Sequence, residues 1–454
     1  MSNSPSFPHT PPPTAGGSSP HPGAPTVPGP NPTGRRRSRA RRTPLGALRS
    51  VPAVWTGWVI ARLITAYLIF LEPNPLGDVY YYHFGVFGDD PSAMTEYPHA
   101  GTWPAFILAH FIGEDVKAYF FAFPLMVLVF DALFMALVLR RHPTTRAAID
   151  AAWLWVFFGT AVGHVFVLRL DIFPALAVAA AASLLFKHPG FSGALLAFAT
   201  AMKLWPAVLG AGLVGGWNKA KTWASLAVFV ATLLSLGAFT YVTEGKDRLF
   251  SPLDYQQVRG LQIESVAATP LMWKYFFYPE RWEVFYAPSK SFEITGPGVD
   301  TAIAVANVLM LSTLAVAILF ALYRFVLGAW TPESALALFV TLILLLIISN
   351  KVFSPQYVTW LGPTLVVALS RGNLPRAQQG LVWALAVIAV ICGALGVEVF
   401  PFGYSSIWKY PGENILPTLA LVSRNILVVL MVPLALTWLG LSCRRPRITR
   451  AYLD

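Results

Sequence analysis

The sequence predicts an all-α polytopic membrane protein, a bundle of about 12 transmembrane helices with two large loops on the outer face. Of its 454 residues, 56% are hydrophobic and only 12% are charged, whereas a soluble domain carries about 25% charged residues. Long apolar runs alternate with short clusters of Lys and Arg. Because the net charge of +11 follows these clusters, it indicates membrane topology and argues against nucleic acid as a partner.

Three segments of different composition follow one another along the chain. Residues 1–48 are rich in Pro, Gly, Ser and Thr and then in Arg, which predicts a disordered, basic cytoplasmic tail. The cluster from Arg35 to Arg42 precedes the first apolar run, an order that differs from a cleaved signal peptide. It predicts a cytoplasmic anchor for the first span that can also contact anionic membrane lipids. Residues 49–442 form the predicted transmembrane domain, and residues 443–454 form the closing cytoplasmic tail.

The apolar runs give an even number of predicted spans, which places both termini in the cytoplasm by the positive-inside rule. The runs cover residues 51–71, 118–139, 148–168, 172–187, 191–202, 204–216, 222–242, 300–325, 333–349, 358–369, 380–399 and 415–440. Two long outer loops are predicted at about 72–117 and 243–299, and the stretch 104–112 is predicted to lie along the membrane interface. Lys203 separates two runs that are each short for a span, so we expect it to lie in a cavity below the outer surface.

In this topology a mixture of charged and polar side chains maps to the outer face. They are Asp78, His83, Glu96, Arg169, Asp171, Lys203, Arg259, Glu264, Lys351 and Gln356. Ionisable groups at the ends of membrane spans are costly unless they are paired or hydrated, so their convergence on one face indicates a site. Carboxylates can remove a proton and fixed cations can hold an anion, which is the combination that a lipid-phosphate substrate requires.

These residues also have structural interpretations. Asp78 fits a helix cap as well as it fits a catalytic base, and Arg169 with Asp171 fits a salt bridge at a hairpin tip. The neighbouring tyrosines fit an interfacial aromatic belt, whereas Lys203, between two apolar half-helices, has few structural explanations. The sequence shows no metal-ligand spacing among its histidines, no nucleotide-binding loop and no nucleophile elbow, so no metal and no obligatory cofactor is predicted.

Several short motifs occur in a characteristic order on the predicted outer face. They are Asp78–Tyr82, Glu96–Pro98, Arg169–Ala175, Ala201–Pro206, Arg259–Ser265 and Phe353–Tyr357. From about residue 50 to 440 this order resembles glycosyltransferase family 87, actinobacterial enzymes of the GT-C fold that use polyprenyl-phosphate sugars. The chain differs from the family pattern at Pro98-His99, where the family usually has two prolines.

The resemblance implies an inverting glycosyltransferase of the plasma membrane with its active site facing outward. The sugar would pass from a polyprenyl-phosphate donor to a cell-envelope glycolipid or lipoglycan, with mannose favoured and arabinofuranose as the alternative. Asp78 would be the general base that deprotonates the acceptor hydroxyl. The donor phosphate would bind Lys203, Arg259, Arg169 and Lys351, and the sugar or the acceptor would contact Tyr81, Tyr82, His83, Glu96, Asp171, Glu264 and Gln356.

Two other classes of function remain open at this point. A transporter or flippase for a lipid-linked sugar fits the number of spans, but such proteins usually show internal repeats and ionisable groups near the bilayer midplane. The sequence shows no repeat, and its outer-face charges cluster at one surface. In an acceptor-binding or scaffold protein, Asp78 would have no catalytic role.

Overall fold

We describe the protein from a computed structural model covering residues 48–72, 76–90, 92–141, 146–328 and 330–443. The predicted N-terminal tail up to residue 47, with its arginine cluster, and the C-terminal tail from residue 444 lie outside these ranges. The described chain is mostly helical and has one two-stranded sheet.

The α-helices are α1 (Val51–Phe70), α2 (Gly77–Phe87), α3 (His99–Ile112), α4 (Val116–Arg141), α5 (Arg146–Val162), α6 (His164–Leu168), α7 (Ile172–Leu184), α8 (Pro189–Met202), α9 (Ala220–Gln257), α10 (Thr269–Phe277), α11 (Val299–Leu327), α12 (Pro332–Ser349), α13 (Gly362–Ser370), α14 (Arg376–Val397), α15 (Tyr404–Trp408) and α16 (Ile415–Cys443). Short 3₁₀ helices cover Trp205–Leu213, Pro279–Arg281 and Pro355–Trp360, and a π-helix covers Glu398–Phe402. The antiparallel strands β1 (Glu283–Tyr286) and β2 (Phe292–Thr295) form a hairpin.

The structure confirms an all-α protein with several membrane-spanning candidates. Within the described ranges, seven helices are long and apolar enough to cross a membrane, namely α1, α4, α9, α11, α12, α14 and α16. The other predicted spans coincide with shorter or broken helices, such as α7 with 13 residues and α13 with 9 residues. The predicted number of about 12 spans therefore remains a prediction.

Apolar side chains cover the outside of the long helices. Leu234 on α9 is 68% exposed and Leu311 on α11 is 67% exposed. In contrast, α12 is buried along most of its length at the centre of the bundle. An apolar exterior around a packed apolar interior is the arrangement that a lipid environment stabilises.

Two helix breaks matter for the architecture. Helix α8 ends at Met202, Lys203 is extended, and a 3₁₀ helix begins at Trp205, so the predicted break at Lys203 is present. Helix α9 continues to Gln257 across Gly245, which has a φ of +85°, a conformation that glycine adopts easily. The second predicted loop therefore begins with the end of a helix and continues into α10 and the hairpin.

A buried ion pair joins the first helices inside the bundle. The guanidinium of Arg62 on α1 contacts Asp131 on α4, with Nε 2.6 Å from Oδ2 and Nη2 3.1 Å from Oδ1. The indole Nε1 atoms of Trp58 and Trp155 donate to the same carboxylate over 2.8 Å and 2.6 Å. Every charge of this pair has partners, which is the condition for keeping ionised groups within a membrane-spanning region.

Candidate functional site

A polar pocket of about 380 Å³ lies where α2, the α6–α7 turn, the break at Lys203, the end of α9 and the hairpin converge. Most of the predicted site residues line it, namely Asp78, Tyr81, Glu96, Arg169, Lys203, Arg259, Glu264 and Gln356. The remaining predicted residues, Tyr82, His83, Asp171 and Lys351, are outside this lining. The structure thus brings together residues that are up to 278 positions apart in the sequence (Asp78 and Gln356).

Asp78 lies in the first turn of α2, where the helix dipole favours a negative charge. Its Oδ1 atom forms an ion pair with Nη1 of Arg169, which is extended between α6 and α7. The Asp78 side chain remains 30% exposed, against 13% for the Arg169 side chain. The structure therefore pairs Arg169 with Asp78, and the alternative of a hairpin-tip salt bridge between Arg169 and Asp171 does not occur.

Asp171 is instead the partner of Lys203. Oδ1 of Asp171 lies 2.6 Å from Nζ of Lys203 and accepts a hydrogen bond over 2.8 Å from Nε1 of Trp360. The rings of Tyr97 and Tyr357 each lie 5.4 Å from Nζ of Lys203, within cation–π range. Because Asp171 is 1% exposed behind the lining, its place in the structure is to hold and neutralise the lysine at the pocket wall.

Arg259 differs from Arg169 and Lys203, two of the other predicted phosphate-binding cations. Its guanidinium lies 5.0 Å from the centre of the Tyr255 ring, and its buried Nε atom has no hydrogen-bond partner in the described structure. No carboxylate of the described residues forms an ion pair with it, whereas Arg169 and Lys203 each have one. Arg259 is therefore a cation of the pocket whose charge is available to an anionic ligand.

Lys351 supports the loop that carries Arg259. Its Nζ donates to the Arg259 carbonyl oxygen over 2.6 Å, and the Lys351 carbonyl accepts from the Gln262 backbone N–H over 3.0 Å. Burial lowers the pKa of Lys351. The structure thus places this predicted phosphate-binding residue behind the loop that presents Arg259.

Glu96 and Tyr81 form a hydrogen-bonded network with a lysine that the sequence did not indicate. The Tyr81 hydroxyl donates to Oε2 of Glu96 over 3.0 Å and accepts from Nζ of Lys290 over 2.8 Å. Lys290 lies at the hairpin tip and also lines the pocket. Burial raises the pKa of the Glu96 carboxyl, so this group binds its proton more tightly than an exposed glutamate does.

Glu264 reaches the pocket, but its charge is already balanced. Its Oε2 atom lies 2.8 Å from Nη1 of Arg424, and both side chains are almost completely buried. Asn425 adds a hydrogen bond from Nδ2 to the Glu264 carbonyl oxygen over 3.0 Å. Arg424 was not among the site residues predicted from the sequence. Its place in the middle of the apolar run 415–440 could have indicated it, because an arginine there needs a buried acidic or polar partner.

The helical period of α2 explains why only some of its polar residues face the pocket. Successive side chains on a helix are about 100° apart, so neighbouring residues point in different directions. Tyr81 lines the pocket, whereas Tyr82 is fully buried with its hydroxyl 3.3 Å from that of Tyr97. His83 is 8% exposed with Nε2 3.1 Å from the Glu114 carbonyl oxygen. Both residues therefore contribute to packing between α2 and its neighbours.

Aromatic rings complete the pocket, and most of them come from segments without a recognised motif. They are Tyr255, Tyr286, Phe292, Phe400 and Tyr404, together with Tyr81, Tyr97 and Tyr357 from the motifs. Arg169 lies 5.8 Å from the centre of the Phe400 ring, which links the segment after α14 to the ion pair of Asp78. Ring faces beside carboxylates and cations can bind a ligand that has both apolar faces and polar groups.

Comparison of the chain with family models, with curated proteins and with solved structures found no match. Across the residues that the structure describes, there is also no group of three His, Cys, Asp or Glu side chains that could hold a metal ion.

Proposed function

We propose that this protein is an integral membrane glycosyltransferase of the GT-C type, similar to family 87. It transfers a sugar, most simply mannose, from a polyprenyl-phosphate donor to a cell-envelope glycolipid or lipoglycan. The observation that carries the proposal is a single pocket that combines a partly exposed carboxylate, Asp78, with a cation, Arg259, that forms no ion pair with any carboxylate of the described residues. The sugar transfer needs both groups, one for the acceptor hydroxyl and one for the leaving phosphate.

The proposed topology has both termini in the cytoplasm and the pocket at the outer face of the plasma membrane. Basic residues lie at the proposed inner ends of apolar helices, for example Arg140 near the end of α4 and Arg376 at the start of α14. The shorter helices beside Gly163 and Lys203 would complete about 12 crossings as broken segments protected by neighbouring helices.

Arg259 binds the phosphate of the donor in this mechanism. When the bond between the anomeric carbon and the phosphate oxygen breaks, its electron pair stays on the oxygen, and negative charge grows on the lipid phosphate. A fixed guanidinium stabilises that charge without a metal ion. Lys203 and Arg169, whose charges are partly neutralised by Asp171 and Asp78, extend the positive side of the pocket.

Asp78 accepts the proton of the acceptor hydroxyl as the hydroxyl oxygen forms its bond to the anomeric carbon. Arg169 engages Oδ1 of Asp78, which orients the carboxylate and leaves Oδ2 for the proton. The resemblance to family 87 implies inversion at the anomeric carbon. In this arrangement, the attacking oxygen and the leaving phosphate lie on opposite faces of the sugar.

Three polar side chains are suited to the hydroxyl groups of the sugar. Glu96 and Tyr81 form one edge of the pocket. In the 3₁₀ helix Pro355–Trp360, the buried Oε1 atom of Gln356 has no hydrogen-bond partner in the described part of the chain. A sugar hydroxyl that donates to this oxygen would satisfy a group that is otherwise costly to bury.

The proposal is tested with purified protein in lipid nanodiscs, polyprenyl-phosphate mannose or polyprenyl-phosphate arabinofuranose as donor, and dodecyl α-mannoside as acceptor. Wild-type protein should transfer one of the two sugars. Arg259→Met should raise the KM for that donor about 10- to 100-fold, because a hydrogen bond to a charged group contributes about 1.5–3 kcal/mol. The matched control is Arg281→Met, which removes an exposed arginine beside the hairpin.

Absence of transfer from both donors by folded wild-type protein would contradict the proposal. In that case, movement of the lipid-linked sugar across the bilayer is the next activity to measure. An equal effect of the Arg259 and Arg281 variants would show that Arg259 does not bind the donor phosphate.

A further inference from the structure

A second cavity, which no motif of the sequence indicated, lies between α1 and α4. It has a volume of about 570 Å³ and is lined mainly by apolar side chains. Ala66 and Ile69 contribute from α1, and Phe120, Phe121 and Leu128 contribute from α4. Both helices are long and apolar enough to cross the membrane. We call this cavity the α1–α4 groove.

The lining of the α1–α4 groove adjoins the lining of the polar pocket at two points of the chain. Leu76 lines the groove, and the next two residues, Gly77 and Asp78, line the pocket. Leu168 lines the groove, and the next residue, Arg169, lines the pocket. Along the chain, the lining of the groove therefore comes within two residues of Asp78 and within one residue of Arg169, the two members of the ion pair.

The charged residues of the groove do not prevent an apolar occupant. Arg62 lines it, but its guanidinium is held by Asp131 through two hydrogen bonds. Lys117 lines it at the start of α4, where its side chain is exposed. An occupying hydrocarbon chain would thus meet mainly apolar side chains, one neutralised arginine and a single exposed lysine.

The residues next to the groove lining favour one of the two lipid substrates of the proposed reaction. The donor phosphate is assigned to Arg259, which contacts Tyr255 and Lys351 and is held by different elements from those that form the groove. Leu76 of the groove lining lies two residues before Asp78, the residue that meets the acceptor hydroxyl, and Leu168 directly precedes Arg169, which orients Asp78 through their ion pair. We infer that the α1–α4 groove binds the hydrocarbon chain of a lipid acceptor, whose sugar hydroxyl is thereby brought to Asp78.

This inference rests on the proposed function and narrows it, because it makes the acceptor a membrane glycolipid and excludes a free, soluble glycan as the preferred acceptor. It also separates the entry routes of the two substrates. The acceptor chain enters between α1 and α4, and the donor chain lies elsewhere on the bundle.

The test uses a series of alkyl α-mannosides with chains of different length as acceptors, and nanodiscs so that detergent chains do not compete for the groove. Ala66→Trp fills the groove from α1. The matched control is Leu63→Trp on the same helix, at a position that is 65% exposed and outside the groove lining. For wild type and the control, we expect the KM of dodecyl mannoside to be at least about tenfold below that of hexyl mannoside.

For Ala66→Trp, we expect the KM of dodecyl mannoside to rise about tenfold or more, while the KM of the polyprenyl-phosphate donor changes less than about twofold. Partitioning of the alkyl chain into the nanodisc is common to all variants, so it cancels in the comparison. A rise in donor KM alone would overturn the inference and assign the groove to the donor chain. Unchanged kinetics for both substrates would mean that the groove holds only bulk lipid.

A direct binding measurement keeps this inference separable from the proposed function. Dodecyl mannoside with a diazirine at the end of its chain should crosslink to residues of α1 or α4 in wild type and markedly less in Ala66→Trp. Crosslinking without any sugar transfer would support the groove and contradict the transferase. Crosslinking at other helices only would contradict the groove, whether or not the protein transfers sugar.

Discussion

Two arginine–aspartate pairs in this molecule have the same chemistry but different environments. In the pair of Arg62 and Asp131, the carboxylate accepts from the guanidinium and two indoles and is 0% exposed. In the pair of Arg169 and Asp78, the carboxylate side chain is 30% exposed and faces a pocket. The residue types of the two pairs are the same. A structural ion pair therefore differs from a candidate catalytic one in its number of partners and in its access to a cavity.

The largest expected effect concerns the stability of the buried pair. Asp131→Ala leaves the Arg62 guanidinium and two indole N–H groups without their acceptor, so we expect a loss of about 3–5 kcal/mol in the free energy of unfolding. The double variant Arg62→Met/Asp131→Leu removes both charges and should be less destabilised than the single variant. Thermal unfolding of the purified protein measures both, and a double variant that is no more stable than Asp131→Ala would contradict this account of the pair.

A smaller effect on the free energy of unfolding is expected from the pocket residue Glu96. Its carboxyl accepts a hydrogen bond from Tyr81 but forms no ion pair among the described residues. Burial raises its pKa above its ordinary value of 4.5. The folded state therefore holds the Glu96 proton more tightly than the unfolded state does. As the pH rises from 4.5 to the raised pKa of the folded state, Glu96 should lower the free energy of unfolding. Glu96→Gln should remove that dependence.

The measurement is the free energy of unfolding as a function of pH for wild type, Glu96→Gln and the control Glu280→Gln, which alters an exposed carboxyl near the hairpin. We expect the wild-type and control curves to fall together relative to the Glu96→Gln curve as the pH rises above 4.5. Parallel curves for all three proteins would show that the Glu96 pKa is not raised.

Much of the site was predictable because its residues lie in motifs at the ends of apolar runs. Asp78, Glu96, Arg169, Lys203 and Arg259 were all predicted and all line the pocket. Their partners were not predictable, because a salt bridge depends on which helix ends meet in space. The sequence neighbours Arg169 and Asp171 each pair with a residue from a different segment.

Other parts of the site depend on local geometry that the sequence does not express as a motif. Lys290 reaches the pocket only because β1 and β2 pair and place their connecting turn beside Tyr81. Phe400 and Tyr404 enter it from the irregular segment after α14. The number of spans was equally uncertain from the sequence, because breaks such as Gly163 divide apolar runs into helices of unusual length.

We expect Asp78, and not the similarly paired Asp131, to take part in the chemistry. The measurement that tests it most directly is the kcat of sugar transfer for Asp78→Asn, normalised to folded protein, with Asp131→Asn as the matched variant. We predict a loss of about 10²–10⁴-fold in kcat for Asp78→Asn with donor binding retained, and little change in kcat for Asp131→Asn despite its lower stability. Transfer by Asp78→Asn at the wild-type rate would contradict the account.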